Sequence, residues 1–184
     1  VKAFSGKTGA VIRSLFAYDA GFAGGVSVAA ADLDADGYAD VVTGAGAGGG
    51  PHVKAFSGKT GAVIRSLFAY DAGFAGGVSV AAADLDADGW GEVITGAGQG
   101  GAPHVKAFDR AGGESVSFFA YAPVFAGGVS VAARDVDGDG VSDIVTGAGP
   151  GGGPHVAAFR GLTLDPLLNL YAFAPEFTGG VYVG

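Results

Sequence analysis

Along most of the chain apolar residues alternate with polar or small ones at a period of two. No stretch offers ten helix-forming residues free of Gly or β-branched clusters. Within one unit, Val26-Ser27-Val28-Ala29-Ala30 predicts a first strand and Asp40-Val41-Val42-Thr43 a second. Val53-Lys54-Ala55-Phe56 predicts a third, ended by the turn Ser57 to Gly61, and Val63 to Tyr70 a longer fourth. The small residues of the first strand suit a crowded axis, and the aromatic residues of the fourth suit a wider rim.

This unit recurs. Val1, Val53, Val105 and Val156 open successive copies, and the first two copies differ only at Tyr38/Trp90, Ala39/Gly91, Asp40/Glu92, Val42/Ile94, Ala47/Gln99 and Gly50/Ala102. Such near-identity points to a recent duplication or a deliberate construction. Four short strands in a unit of about fifty residues, repeated, predict an all-β fold, a β-propeller of four-stranded blades. The expected division is full blades at 25–76, 77–127 and 128–179, a partial blade at 1–24, and the start of another at 180–184. Propellers close with four to eight blades. The expectation is therefore a homo-oligomer or part of a larger propeller, with the N-terminal strands of one copy completing the C-terminal blade of another.

Composition narrows the class. Gly supplies 37 of 184 residues, yet 49% of the chain is hydrophobic, which excludes a disordered polar chain. There is no Cys, hence no disulfide and no thiolate metal site. The net charge of −8 argues against nucleic acid and against anionic membrane surfaces. Val1 to Gly9 lacks the basic and apolar segments of a secretory signal. The uncharged run Val116 to Ala133 contains Pro123 and Gly127-Gly128, and its counterparts carry Asp19 and Asp71, so no membrane insertion is expected.

Twelve of the 18 acidic residues fall in three equivalent loops between first and second strands. The first holds Asp32, Asp34, Asp36 and Asp40, with Tyr38 at position 7; the second holds Asp84, Asp86, Asp88 and Glu92, with Trp90 at position 7. The third holds Asp135, Asp137, Asp139 and Asp143, with Val141 at position 7. Carboxylates at positions 1, 3, 5 and 9 repel one another unless a cation joins them. A hard ion taking six to eight oxygens fits this supply, and Ca²⁺ fits better than Mg²⁺, which keeps its waters. Gly at position 6 permits the reversal that turns the position-7 carbonyl toward the ion. Three Ca²⁺ ions would bring the charge from −8 to −2. The competing reading is a solvated acidic turn, which leaves the threefold clustering of charge without a cause. An EF-hand is rejected, because position 12 is Thr43, Thr95 or Thr146 rather than Glu, and the flanks read as strands. The ions are expected to be structural, since the loops supply no acid or base beside an open coordination position.

Phe22-Ala23-Gly24-Gly25-Val26, the Asp loop, and Val42-Thr43-Gly44-Ala45-Gly46 together resemble the FG-GAP (VCBS-type) repeat of integrin α-subunit β-propellers and related bacterial proteins. Gly46, Gly98 and Gly149 depart from the Pro of the family's Gly-Ala-Pro element, an Ala separates Phe22 from its Gly, and Glu92 replaces the last Asp. The resemblance implies Ca²⁺-stabilised blades and a role in adhesion, glycan binding or protein recognition.

Other motifs carry less. Gly44 to Gly49 satisfies G-x-G-x-x-G, but Pro51 and a strand follow where a helix is required, so a long flexible connection is expected. Gly58-Lys59-Thr60 lacks the glycine of a P-loop and reads as a hairpin turn. His52, His104 and His155 occupy equivalent places and are expected to be structural, with a ligand contact between blades as the second possibility. Trp90 reads as packing beside the ion, and Lys2, Arg13, Lys54, Arg65 and Lys106 as solvated strand edges. The remaining acids, Asp19, Asp71, Asp109, Glu114, Asp165 and Glu176, form no set with a base, so no enzyme is expected. The chain reads as a non-enzymatic, Ca²⁺-stabilised binding, adhesion or scaffold module. The alternatives are a glycan-binding lectin and a duplicated or engineered self-assembling scaffold. A site of modest Ca²⁺ affinity points to an extracellular or cell-surface location.

Overall fold

The computed structural model describes residues 1–184 as fourteen β-strands joined by turns, with no helix, hence none long and apolar enough to cross a membrane. Lys2–Phe4 (β1) and Val11–Ser14 (β2) form a two-stranded ribbon. Three antiparallel sheets follow, each with its strands in chain order. The first comprises Val26–Ala31 (β3), Asp40–Ala45 (β4), His52–Phe56 (β5) and Val63–Phe68 (β6). The second comprises Val78–Ala83 (β7), Glu92–Ala97 (β8), His104–Phe108 (β9) and Glu114–Phe119 (β10). The third comprises Val129–Arg134 (β11), Asp143–Ala148 (β12), His155–Phe159 (β13) and Pro166–Tyr171 (β14). The molecule is thus all-β and built of repeated four-stranded antiparallel sheets of the propeller-blade type.

The register repeats with the sequence. Ala31 faces Asp40, Ala83 faces Glu92 and Arg134 faces Asp143, so each acidic loop is the tight link between the first two strands of its sheet. Each first strand alternates small residues with valine, and in β7 and β11 the valines pack against the preceding sheet. Val78 and Val80 join Val42 and Val53 in one core, while Val129 and Val131 join Ile94 and Val105 in the next. The hydrophobic cores therefore lie between neighbouring sheets, where two faces exclude water from both. The serines of these strands reach the following sheet instead: Val80 N–H donates to Ser27 Oγ at 3.1 Å and Val131 N–H to Ser79 Oγ at 3.2 Å. The aromatic residues Phe68, Phe119 and Tyr171 end the outermost strands and stay about half exposed.

Two expectations need correction. The Gly-rich connection after β4 is not a flexible link: Gly44 and Ala45 belong to β4, and Gly46 and Gly48 N–H groups donate to Gly25 O and Ala75 O. Backbone contact is so close there that a Cβ on Gly46 would fall 1.9 Å from Gly24 O. Of the cationic strand residues only Lys2 is an exposed edge; Arg13, Lys54, Arg65 and Lys106 are not. Arg13 donates to Gly58 O and Lys59 O, Arg65 to Arg110 O, and Lys54 to Ala17 O, each joining one sheet to the next. Lys106 Nζ instead pairs within its sheet with Glu114, at 2.7 Å. Arg13, Arg65 and Lys54 thus reach backbone carbonyls outside their own sheets, which keeps their stems against protein rather than in water.

Candidate metal centres

Each acidic loop folds around its own first aspartate. In the first, Asp32 Oδ2 accepts from Gly37 N–H at 2.8 Å and Oδ1 from Asp36 N–H at 3.2 Å. In the second, Asp84 Oδ2 accepts from Gly89 N–H at 2.9 Å, and in the third Asp135 Oδ2 accepts from Gly140 N–H at 3.0 Å. The next two aspartates form Asx turns, with Asp36, Asp88 and Asp139 accepting from the N–H of Tyr38, Trp90 and Val141. The reversal needs a left-handed residue at position 4, filled by Ala35 (φ 56°), Ala87 (φ 61°) and Gly138 (φ 82°).

The position-9 acid does something different. Asp40 is fully buried; its Oδ2 accepts from Leu33 N–H and its Oδ1 from Gly58 N–H, both at 2.9 Å. Asp143 repeats this with Val136 N–H at 2.9 Å and Gly161 N–H at 3.3 Å, while Glu92 accepts from Leu85 N–H at 2.8 Å. This carboxylate ties the loop to its own sheet and, for Asp40 and Asp143, to the turn after the third strand.

Carboxylate oxygens within 4.8 Å of one another come from Asp32, Asp34 and Asp36; from Asp84, Asp86 and Glu92; and from Asp135, Asp137 and Asp143. The three loops thus bring together nine of the twelve expected acids and leave Asp40, Asp88 and Asp139 outside the closest sets. Tyr38, Trp90 and Val141 sit at the loop tips, where Lys59 Nζ lies 5.4 Å from the Tyr38 ring and the Arg110 guanidinium 5.0 Å from the Trp90 ring. Convergent carboxylates disfavour one another's charge. The Asp34 carboxyl is held above the ordinary range by desolvation, with Asp40 and Asp36 adding like charge, and Glu92 is pushed up to about 7, chiefly by burial. A donor set made only of oxygens, crowded to this extent, fits a hard cation and can hold one in each loop.

Neighbouring loops touch: Gly91 N–H donates to Asp32 O at 2.8 Å and Ser142 N–H to Asp84 O at 3.4 Å. An ion in one loop would therefore brace the next sheet as well as its own.

The histidines fill the seams between sheets. His52 stacks on Phe68 at 4.7 Å and tilts against Tyr18 at 5.6 Å, while its Nε2 lies 2.9 Å from Ser66 Oγ. His104 is set the same way between Tyr70 and Phe119, and His155 between Tyr121 and Tyr171. Burial lowers the affinity of His52 and His104 for a proton, with Lys54 and Lys106 adding repulsion. Beside His104 lies an open cavity of about 340 Å³, walled by Tyr70, Phe74, Lys106 and Phe119; an equivalent one of about 200 Å³ has Tyr121, Phe125, His155 and Tyr171.

Sequence reasoning missed the seam residues Tyr18, Tyr70 and Tyr121 and the loop neighbours Lys59 and Arg160. The signal for the tyrosines was present, because they stand 25 residues before Thr43, Thr95 and Thr146 respectively. Against known families, residues 24–64 and 76–119 match the FG-GAP repeat. No curated protein matches the chain.

Proposed function

For a chain whose residues 24–64 and 76–119 match the FG-GAP repeat, we propose a non-enzymatic binding or adhesion module whose blades are stabilised by Ca²⁺. The observation that carries the reading is the threefold recurrence of one acidic loop, with three carboxylates converging between the first two strands of every four-stranded sheet. Ca²⁺ is favoured over Mg²⁺ because the loop offers many flexible oxygens and no octahedral frame. Asp32, Asp34 and Asp36 in the first loop, Asp84, Asp86 and Glu92 in the second, and Asp135, Asp137 and Asp143 in the third would supply side-chain oxygens, and the Tyr38, Trp90 and Val141 carbonyls would add to them. The ion's chemistry here is charge neutralisation and cross-linking; the residues around it offer no nucleophile. Extracellular or cell-surface placement follows from the abundance of free Ca²⁺ there.

The test is a melting curve with Ca²⁺ and with EDTA. An ion that binds only the folded chain raises the midpoint by mass action. Three equivalents of Ca²⁺ bound and a midpoint that rises with concentration support the reading. An unchanged midpoint overturns it.

For the ligand, the cavities beside His104 and His155 favour a glycan as the second reading, since aromatic walls with a few polar groups suit the faces and hydroxyls of a sugar. A glycan array that stays blank while protein partners bind removes this alternative.

Self-association is proposed on a separate observation. Val26 and Val28 are 40% and 55% exposed, whereas their counterparts Val78 and Val80 are 3% and 5% exposed under the preceding sheet. The same face of the first sheet is suited to cover by a further blade, from a second copy or a larger propeller. Light scattering that finds a compact monomer at micromolar concentration excludes the second copy.

A further inference from the structure

Three loops nearly alike in sequence face three different cations. In the first, Lys59 Nζ stands 3.6 Å from Asp36 Oδ2, and in the second the Arg110 guanidinium lies over the Trp90 ring. The third is met by the Arg160 side chain, from the turn after β13. Its Nη1 donates to Asp139 Oδ2 at 2.6 Å and its Nη2 pairs with Asp137 Oδ2. Asp137 belongs to the convergent set with Asp135 and Asp143. A guanidinium keeps its charge at every working pH and spans two carboxylates with a fixed fork, which a lysine ammonium cannot do.

We propose that Arg160 is a built-in counter-cation of the third loop, and that a divalent ion must displace its fork to take Asp137. This inference rests on the reading of the loops as Ca²⁺ sites. It makes the third site weaker than it would be without Arg160, and it gives the third loop a partner that holds it folded when calcium is scarce. The arginine side chain, at 39% exposed, is partly wet, so the competition is modest. An ion pair of this exposure sets it at about fivefold in midpoint concentration. The turn itself does not depend on the guanidinium, because Arg160 N–H donates to Asp165 O and Arg160 O accepts from Leu164 N–H.

The test is a Ca²⁺ titration of the metal-stripped chain, followed by nuclear magnetic resonance at the amides of Gly37, Gly89 and Gly140. Each of these donates to the first aspartate of its own loop and so reports that loop most directly. In Arg160→Gln the Gly140 midpoint is expected to fall about fivefold, with the Gly37 and Gly89 midpoints unchanged. Arg160→Lys, which keeps the charge and loses the fork, shifts Gly140 in the same direction by less and covers the case of a poorly folded glutamine variant. In parallel, Arg160→Gln lowers the melting midpoint in EDTA and leaves it unchanged in excess Ca²⁺. A Gly140 midpoint unmoved by both variants, while all three glycines respond to calcium, overturns this inference and leaves the metal reading standing. Silence at all three glycines overturns both.

Discussion

The Tyr70 hydroxyl, from the link after β6, donates to the His104 carbonyl at 2.8 Å across the seam between the first and second sheets, with Thr95 Oγ1 3.2 Å away. Tyr18 and Tyr121 make the same bond to His52 O and His155 O at their own seams. Burial raises all three phenols above their ordinary value, Tyr121 to about 12, so each remains a neutral donor through the physiological range. In the fourth copy the equivalent position is Phe173, which has no hydroxyl to give.

Tyr70→Phe keeps the ring against the core and leaves the partly buried His104 carbonyl without this donor. Urea unfolding should show a loss of about 1–2 kcal/mol with an unchanged slope. Phe173→Tyr should change stability far less, because Phe173 is 58% exposed.

Gly46 sits where the preceding turn passes closest to β4. Gly46→Ala requires the backbone at Gly24 to move, since a Cβ would lie 1.9 Å from its oxygen. The loss expected is at least about 2 kcal/mol by thermal unfolding, near the upper range of single substitutions. The same change at Gly6, which has nothing nearby, should be close to neutral.

Ala87 adopts φ 61° at position 4 of the second loop, where the third loop has Gly138. Left-handed backbone costs an L-residue about 1–2 kcal/mol, and glycine returns part of that as unfolded-state entropy. Ala87→Gly should therefore stabilise the metal-free chain by up to about 1 kcal/mol in denaturant titration, with Ala35→Gly behaving alike.

The strands and acidic loops were legible because their causes are local. Alternation at period two set β3 to β14 within a residue or two, and four carboxylates in nine residues announced a shared charge problem. The division of labour within a loop was not legible. Asp34 and Asp40 have the same side chain, yet one joins the crowded set and the other caps two backbone N–H groups in the dark of the core. That choice depends on Gly58, eighteen residues away on a turn whose position only the folded sheet fixes. The seams failed for the same reason: Arg13 meets Gly58 45 residues on, and no local period encodes such a distance.

Glu92 gives the metal-free chain a pH dependence with a definite sign. Its folded value, pushed up to about 7 by burial, lies above its ordinary 4.5, so between these values the folded state holds more proton than the unfolded one. Stability from this group is present below about pH 4.5 and is lost as pH rises through 7. The Leu85 N–H and the like charges of Asp86, Asp84 and Asp88 act in opposite directions on it, but burial dominates. In EDTA, urea unfolding should therefore show stability falling from pH 5 to pH 7.5, and Glu92→Gln should flatten that slope. In saturating Ca²⁺ the ion favours the ionised carboxylate, so the slope should reverse. A wild-type slope that matches Glu92→Gln in EDTA would show that Glu92 ionises in the fold as freely as in the unfolded chain.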